Sequence, residues 1–134
     1  MSLSSKLERR FAADLRANGI YFETNCRDLP GTPDIVFRQI RLVLFVHGCF
    51  WHSHQGCQLA NVPKKMVSRW LSSLNSTVIR DTDARIRLQT GGWSVVVFWE
   101  CELQQTPNDC IKRAVDAIEN QQIPVDPSEP TQLV

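Results

Sequence analysis

The sequence predicts an α/β domain, a mixed central sheet of about four strands flanked by helices. Three observations carry this. Leu3, Leu7, Phe11 and Leu15 recur every four residues, the spacing of one helix face. Two runs, 42–46 (LVLFV) and 95–98 (VVVF), are strand-sized and too apolar for an exposed position. Helical and strand-like segments then follow in the order α, β, β, β, α, α, β, α, so that a sheet can bury its faces against helices. A length of 134 residues, 43% apolar and 22% charged, suits one domain with a single core and excludes wholesale disorder or a fibrous repeat.

Taken in order, residues 4–18 form an amphipathic helix stopped at Asn18-Gly19. Residues 20–23 form a short strand, and 25–33 a loop punctuated by Pro30, Gly31 and Pro33. Segments 34–38 and 41–47 are apolar and β-branched with Gln39 and Ile40 between them, which predicts a hairpin. The second is apolar on both faces and belongs at the centre of the sheet. Residues 48–62 are irregular and rich in Cys, His and aromatics. Pro63 suits the first turn of a helix running to Leu74, and a second helix over 76–90 stops at Gly91-Gly92. Residues 93–99 (WSVVVFW) read as another buried strand. Thr106, as N-cap, and Pro107 open a last helix to Asn120. The folded domain is thus expected over 1–120, and the tail 121–134, with Pro124, Pro127 and Pro130, is expected to be disordered. The two most buried strands end at His47 and near Glu100, and chemistry is expected where loops leave such a rigid sheet.

The formal net charge is +1, yet residues 114–134 hold four acids and no Lys or Arg, so every base lies in 1–113. Eleven of the 15 bases are Arg, whose planar fork of donors suits phosphate. Nucleic acid is a permitted partner on this count, and charge by itself decides no more. No apolar run approaches the ~20 residues that cross a bilayer, and no secretory signal opens the chain, so a soluble, cytoplasmic protein is expected. Five cysteines, an odd number, argue against a secreted disulfide framework and for metal ligation.

Residues 47–57 (HGCFWHSHQGC) hold two Cys and three His within eleven positions. Cys49 and Cys57 with one intervening His supply three soft ligands from one loop. Structural zinc takes four, arranged tetrahedrally. The fourth is expected from a distant segment. Cys101, directly after the strand over 93–99, is the first candidate, with Cys26 and Cys110 as alternatives on less constrained segments.

Pro33-Asp34 at the start of a strand resembles the Pro-Asp signature of restriction-type nucleases. Such sites hold a hard metal ion between the Asp and an oxygen on the neighbouring strand, and Mg²⁺ takes oxygen ligands. The usual acid-x-Lys partner is absent: Phe45, Val46 and His47 stand there. Further carboxylates must come from elsewhere, and Glu8 and Asp81 are candidates.

Together these residues resemble the very short patch repair (Vsr) DNA mismatch endonuclease family. The matching stretches are LPGTPD at 29–34, FVHGCFWHSH at 45–54, and GW at 92–93 through VFWEC at 97–101, within a span from Leu7 to Leu103. The HGCFWH block is long and compositionally unusual, hence specific. The resemblance implies a restriction-endonuclease-like fold that nicks one DNA strand with Mg²⁺ beside a thymine–guanine mismatch. It implies an acid–base set of Glu8, Asp34, His47 and Asp81, with the Asp34 carboxylate and the Val46 carbonyl as Mg²⁺ ligands. The family has Thr at the position of Val46, but a carbonyl ligand does not depend on the side chain. His47 would act at the scissile phosphate, and His52 would hold phosphate or leaving group. Structural zinc would fall on Cys49, His54, Cys57 and Cys101. Phe50 and Trp51 match an aromatic wedge that unstacks base pairs, a step easiest where pairing is already defective.

The family also carries a substantial segment before the acid of its first helix, which clamps DNA from the minor-groove side. Seven residues precede Glu8 here. The sequence is therefore either trimmed at this end or that of a variant with a weaker grip and relaxed recognition. The implied partners are mismatched double-stranded DNA and, beyond it, a cytosine methyltransferase system and mismatch-repair proteins, with the enzyme expected to be a monomer. Two other readings stand beside mismatch repair: a Vsr-like nuclease of a mobile element or restriction system, and a non-catalytic zinc-stapled DNA-binding module. The second is disfavoured by the presence of Glu8, Asp34, His47 and Asp81 together.

Overall fold

The structure is a computed structural model that describes residues 5–50, 52, 54–57, 60 and 67–122. Helix α1 (Ser5–Ala17) ends where the backbone turns left-handed at Gly19 (φ 76°). The Gly19 N–H bonds the Arg16 carbonyl at 2.9 Å and the Ile20 N–H the Leu15 carbonyl at 3.3 Å, the paired closure that satisfies the last helical carbonyls. Strand β1 (Glu23–Thr24) is shorter and later than the segment expected over 20–23. Strands β2 (Ile35–Phe37) and β3 (Leu42–His47) form the expected hairpin, pairing Ile35 with Leu44 and Phe37 with Leu42. A 3-10 turn (Arg38–Ile40) joins them, with Arg41 left-handed at φ 52°. Arg41 is held there by its guanidinium on the Gly91 carbonyl (2.9 Å) and by the Ser94 N–H on its own carbonyl (2.8 Å).

Helix α2 runs unbroken from Val67 to Thr90, where the sequence suggested two helices over 63–74 and 76–90; residues 63–66 lie outside those described. The reason is that nothing between positions 67 and 90 is Gly or Pro. Asn75 and Ser76 are weak helix formers, costing only tenths of a kcal/mol each, and buried Leu74, Ala84 and Leu88 anchor both sides of them. The Gly91-Gly92 stop holds: Gly92 is left-handed (φ 90°) and the Trp93 N–H bonds the Leu88 carbonyl at 2.9 Å.

Strand β4 (Ser94–Trp99) then lies parallel to β3, giving a mixed four-stranded sheet in the order β1-β2-β3-β4. Among the described residues β4 is an edge strand and is largely half-buried, less enclosed than its sequence suggests, whereas every residue of β3 is buried. A short helix α3 (Glu100–Gln105) follows at once, opened by the Trp99 N–H on the Glu102 carboxylate (3.0 Å). Helix α4 (Pro107–Gln122) extends two residues past the expected end, and 123–134 lie outside the described residues. Thr106 does not cap α4 with its side chain: its hydroxyl donates back to the Glu102 carbonyl (3.2 Å), closing α3 instead. No described helix is long and apolar enough to cross a membrane.

The two faces of β3 bury against different helices. Leu42, Leu44 and Val46 join Ile35, Phe37 and Phe98 under α1, α3 and α4. Val43 and Phe45 join Val36 and Leu88 beneath α2. Strand alternation therefore turns His47, the last residue of β3, toward α2. The 29–33 loop packs tightly under that helix. A Cβ on Gly31 would meet the Ala84 Cβ at 2.8 Å and the Phe45 ring at 3.2 Å, and Gly31 is left-handed at φ 76°. Gly31→Ala should therefore destabilise the domain by about 2–4 kcal/mol, combining conformational strain and overpacking. Gly19→Ala shares φ 76° but meets nothing within 4 Å and should lose roughly 1 kcal/mol. Urea unfolding of both variants isolates the steric part, and equal losses would show that the loop does not fix α2.

Candidate active site and metal cluster

Asp34 precedes β2 and turns its carboxylate across the hairpin, where Oδ2 accepts the Val46 N–H at 2.6 Å. From α1, Glu8 reaches the same place and hydrogen-bonds Asp34. Two carboxylates in one half-buried spot cannot both ionise easily. Burial, then the nearby Glu8 charge, pushes the Asp34 carboxyl up to about 7 against the relief of the Val46 N–H, and burial raises Glu8 as well. Without a cation, both carboxyls hold their protons to higher pH than free carboxylates do.

His47 stands beside this pair at the end of β3, buried at 8% exposure. Burial, with the neighbouring His52 next in weight, holds its imidazole down at about 4, so at neutral pH it is uncharged and carries an acceptor lone pair. His52 lies flat against it, ring centroids 3.9 Å apart and planes 4° from parallel. Asp81 of α2 meets His52 Nδ1 at 2.5 Å through Oδ2. That contact fixes the tautomer and leaves Nε2 as the second proton-handling atom. Although ligand atoms of His47, His52 and Asp81 fall within 4.8 Å of one another, stacked imidazoles direct their ring nitrogens in parallel planes and do not converge on one ion. The stack suits two separate proton-transfer groups better than a chelate. All five residues, Glu8, Asp34, His47, His52 and Asp81, line one groove of about 1400 Å³ between α1, the sheet and α2.

The second cluster lies just beyond. Ligand atoms of Cys49, His54, Cys57 and Cys101 fall within 4.8 Å of one another. His54 Nδ1 is 3.5 Å from both Cys49 Sγ and Cys101 Sγ, and the Cys101 N–H donates to Cys49 Sγ at 3.4 Å. Of the alternative fourth ligands, Cys26 is buried in the core beneath α2, and Cys110, on α4, is buried in the core that α4 covers. Burial pushes the Cys49 thiol up to about 12 and raises Cys101. A cation would have to draw both into the thiolate form, as thiol-binding metals do. Two soft sulfurs on one loop, an imidazole and a third sulfur match a tetrahedral zinc donor set, while the oxygens of Asp34 and Glu8 match a hard cation.

Two residues quoted in the motifs without a role take part here. Trp99 stacks on His54 (4.0 Å, 9°) and sets its edge to His47 (5.2 Å, 78°), bridging the two clusters. Glu100 accepts the Cys49 N–H at 3.1 Å. Their signal is position: they directly precede Cys101, Trp99 as the last residue of the strand that pairs with β3 and Glu100 as the first of α3. Of the expected wedge, Phe50 is half-buried at the turn after β3, and Trp51 lies outside the described residues.

The shifted groups give a signed pH dependence. Between 3.8 and about 7 the cation-free native state keeps a proton on Asp34 that the unfolded chain releases, so this group removes stability as pH rises. His47 acts oppositely between about 4 and 6.5, where the unfolded chain binds more protons. Asp34→Asn deletes the first effect and leaves the second. In Mg²⁺-free buffer its melting temperature relative to the parent should climb steadily across that window, and a constant difference would contradict the buried-carboxyl account.

Comparison with known proteins supplies the family. The family described as DNA mismatch endonuclease Vsr matches residues 1–59. The type II nicking enzyme V.XorIIP of Xanthomonas oryzae is 43% identical over 102 residues, covering 76% of this chain and 74% of that protein. The DNA mismatch endonuclease Vsr of Escherichia coli is 42% identical over 98 residues, covering 73% of this chain and 62% of that protein. The type II nicking enzyme V.NmeAIP of Neisseria meningitidis is 36% identical over 86 residues, 64% of this chain and 61% of that protein. Against the last two, the chain spans less than two thirds of the relative's length. Identity at this level, across about three quarters of each chain in the first case, means that the chain belongs to the Vsr family of DNA mismatch endonucleases, enzymes that hydrolyse DNA.

Proposed function

We propose that the protein is a Mg²⁺-dependent endonuclease that nicks one strand of double-stranded DNA at a T:G mismatch. The observation that carries this reading is the meeting, in one groove, of the Glu8 and Asp34 carboxyls with the buried His47 and the Asp81-held His52. The carboxylates of Asp34 and Glu8, with the Val46 carbonyl, form a set of hard oxygens, and the raised Asp34 carboxyl is the kind of group that a cation relieves of its proton. Asp34 and the Val46 carbonyl would hold the Mg²⁺. Bound there, the cation supplies positive charge against the negative charge that develops on the phosphate.

The protein's own groups then handle the protons. Neutral His47 takes a proton from the attacking water as its oxygen bonds to phosphorus. The phosphorus–oxygen bond to the leaving strand breaks, and His52, entering as the imidazolium whose Nδ1–H is held by Asp81, would give its Nε2 proton to that oxygen and so end neutral. Burial keeps His47 in its acceptor form, and stacking holds both rings within one groove. The Cys49, His54, Cys57 and Cys101 set would carry structural zinc, stapling the loop after β3 to the end of β4. Phe50 and Trp51 would enter the DNA as a wedge, and a weakened T:G step is the easiest to unstack.

The second reading, a Vsr-like nicking enzyme attached to a restriction system and its methyltransferase, is favoured by the names of two relatives, each a type II nicking enzyme. The chemistry is the same and the target differs. Duplexes of one sequence carrying T:G, T:A and C:G separate the two. The mismatch reading expects Mg²⁺-dependent nicking of T:G at least about tenfold faster than of the matched duplexes, about 1.4 kcal/mol of discrimination. Asp34→Ala should abolish nicking while DNA binding persists, and a near-parental rate in that variant would sink the metal assignment. For the second cluster, protein purified without chelator should hold one zinc per chain by metal analysis. Cys101→Ser should lose that zinc and melt at a lower temperature; metal-free parent protein of undiminished stability would refute the staple.

A further inference from the structure

The groove that holds the acids and histidines also has a basic wall. Arg85 follows Asp81 by one helical turn on α2, so the two share a helix face. Arg85 is exposed and lines the groove together with Asp81, His47 and His52. Arg9 and Arg80 also line the groove without an ion-pair partner among the described residues, and what sets Arg85 apart is its place one turn beyond Asp81 on α2. Arg87, also on α2, is paired with Asp83 at 2.9 Å, and Arg113 with Glu102 at 3.1 Å. Among the described residues no carboxylate lies within ion-pair distance of Arg85. The Arg9 charge, on the opposite wall, is felt at Glu8, whereas the Arg85 charge is felt at His47. A groove holding Glu8, Asp34 and Asp81 repels a phosphodiester unless cationic charge stands beside the reacting centre. An unpaired guanidinium, with a fork of donors matching two phosphate oxygens, supplies that charge with direction.

We propose that Arg85 anchors the DNA phosphate on which His47 acts, binding its non-bridging oxygens from the α2 wall of the groove. This rests on the nuclease reading above, and the two can fail separately. The probe is a fluorescent T:G duplex, with binding followed by anisotropy across a salt series without Mg²⁺ and single-turnover nicking followed at saturating DNA with Mg²⁺. Arg85→Ala should reduce the slope of log affinity against log salt by about one, the signature of one lost phosphate contact. It should also slow nicking at saturating DNA by about 10- to 100-fold, the scale of one charge-assisted hydrogen-bonded anchor. Arg85→Lys should restore most of the salt slope but only part of the rate, since a point charge lacks the fork. Arg87→Ala removes one charge from the same helix and should change neither. If Arg85→Ala matches Arg87→Ala in both slope and saturating rate, the proposal is overturned. Parent protein that never nicks the duplex with Mg²⁺ would overturn the nuclease reading, while the salt slopes still judge whether Arg85 touches phosphate.

Discussion

The parallel pairing of β3 with β4 is the constraint from which both clusters follow. Its register sets Val46 beside Phe98 and His47 beside Trp99. Once His47 and Trp99 end adjacent strands at the same level, the residues that follow each strand must leave side by side. Two steps past His47 comes Cys49, and two steps past Trp99 comes Cys101, whose N–H meets the Cys49 sulfur at 3.4 Å. Glu100, between them in sequence, closes the remaining gap by accepting the Cys49 N–H. A slip of one residue would turn His47 to the opposite face and separate the two cysteines. The same ladder thus places an imidazole in the groove and brings sulfurs from distant segments together.

The interior around this ladder carries the opposite tendency. Apolar packing on both faces of β3 makes its end a poor environment for charge, and the groups there respond by giving it up. Asp34 holds its proton toward neutral pH and His47 releases its own, for one shared reason, burial. A scaffold that raises a carboxylate and lowers an imidazole side by side has separated their roles before any ligand arrives. The Val46 N–H is the larger of two backbone donors that work against this at Asp34, the other being the residue's own N–H.

Much of this was legible in the sequence, for identifiable reasons. The β2–β3 hairpin, the buried β3 and the glycine stops of α1 and α2 are local: apolar runs and left-handed glycines signal them without knowledge of the rest of the fold. The continuity of α2 was not legible, because Asn75 and Ser76 look like a break until Leu74, Ala84 and Leu88 are known to anchor both flanks. The edge position of β4 was hidden too, since WSVVVFW is as apolar as a central strand and exposure depends on which strands arrive beside it. Spacing suggested that Cys101 joins Cys49 and Cys57 and left Cys26 and Cys110 open. Tertiary packing separates them, because those two thiols serve as small core residues. The roles of Trp99 and Glu100 were out of reach, since each depends on a partner about fifty residues away.

Trp99 links these points into one mechanical account. One face of its indole covers His54 of the sulfur cluster, and its edge meets His47 of the groove. Because stacking contacts are short-ranged, a shift of His54 removes the surface on which Trp99 rests, and a shift of Trp99 removes one wall of the His47 pocket. His47 is then held by the His52 stack and the Phe45 ring 5.6 Å away. A cation on Cys49, His54, Cys57 and Cys101 would therefore act on chemistry it never touches, by fixing the plane against which the groove's imidazole is packed. Phe50 directly follows Cys49, so such a cation would also hold the turn after β3 that carries this half-buried ring.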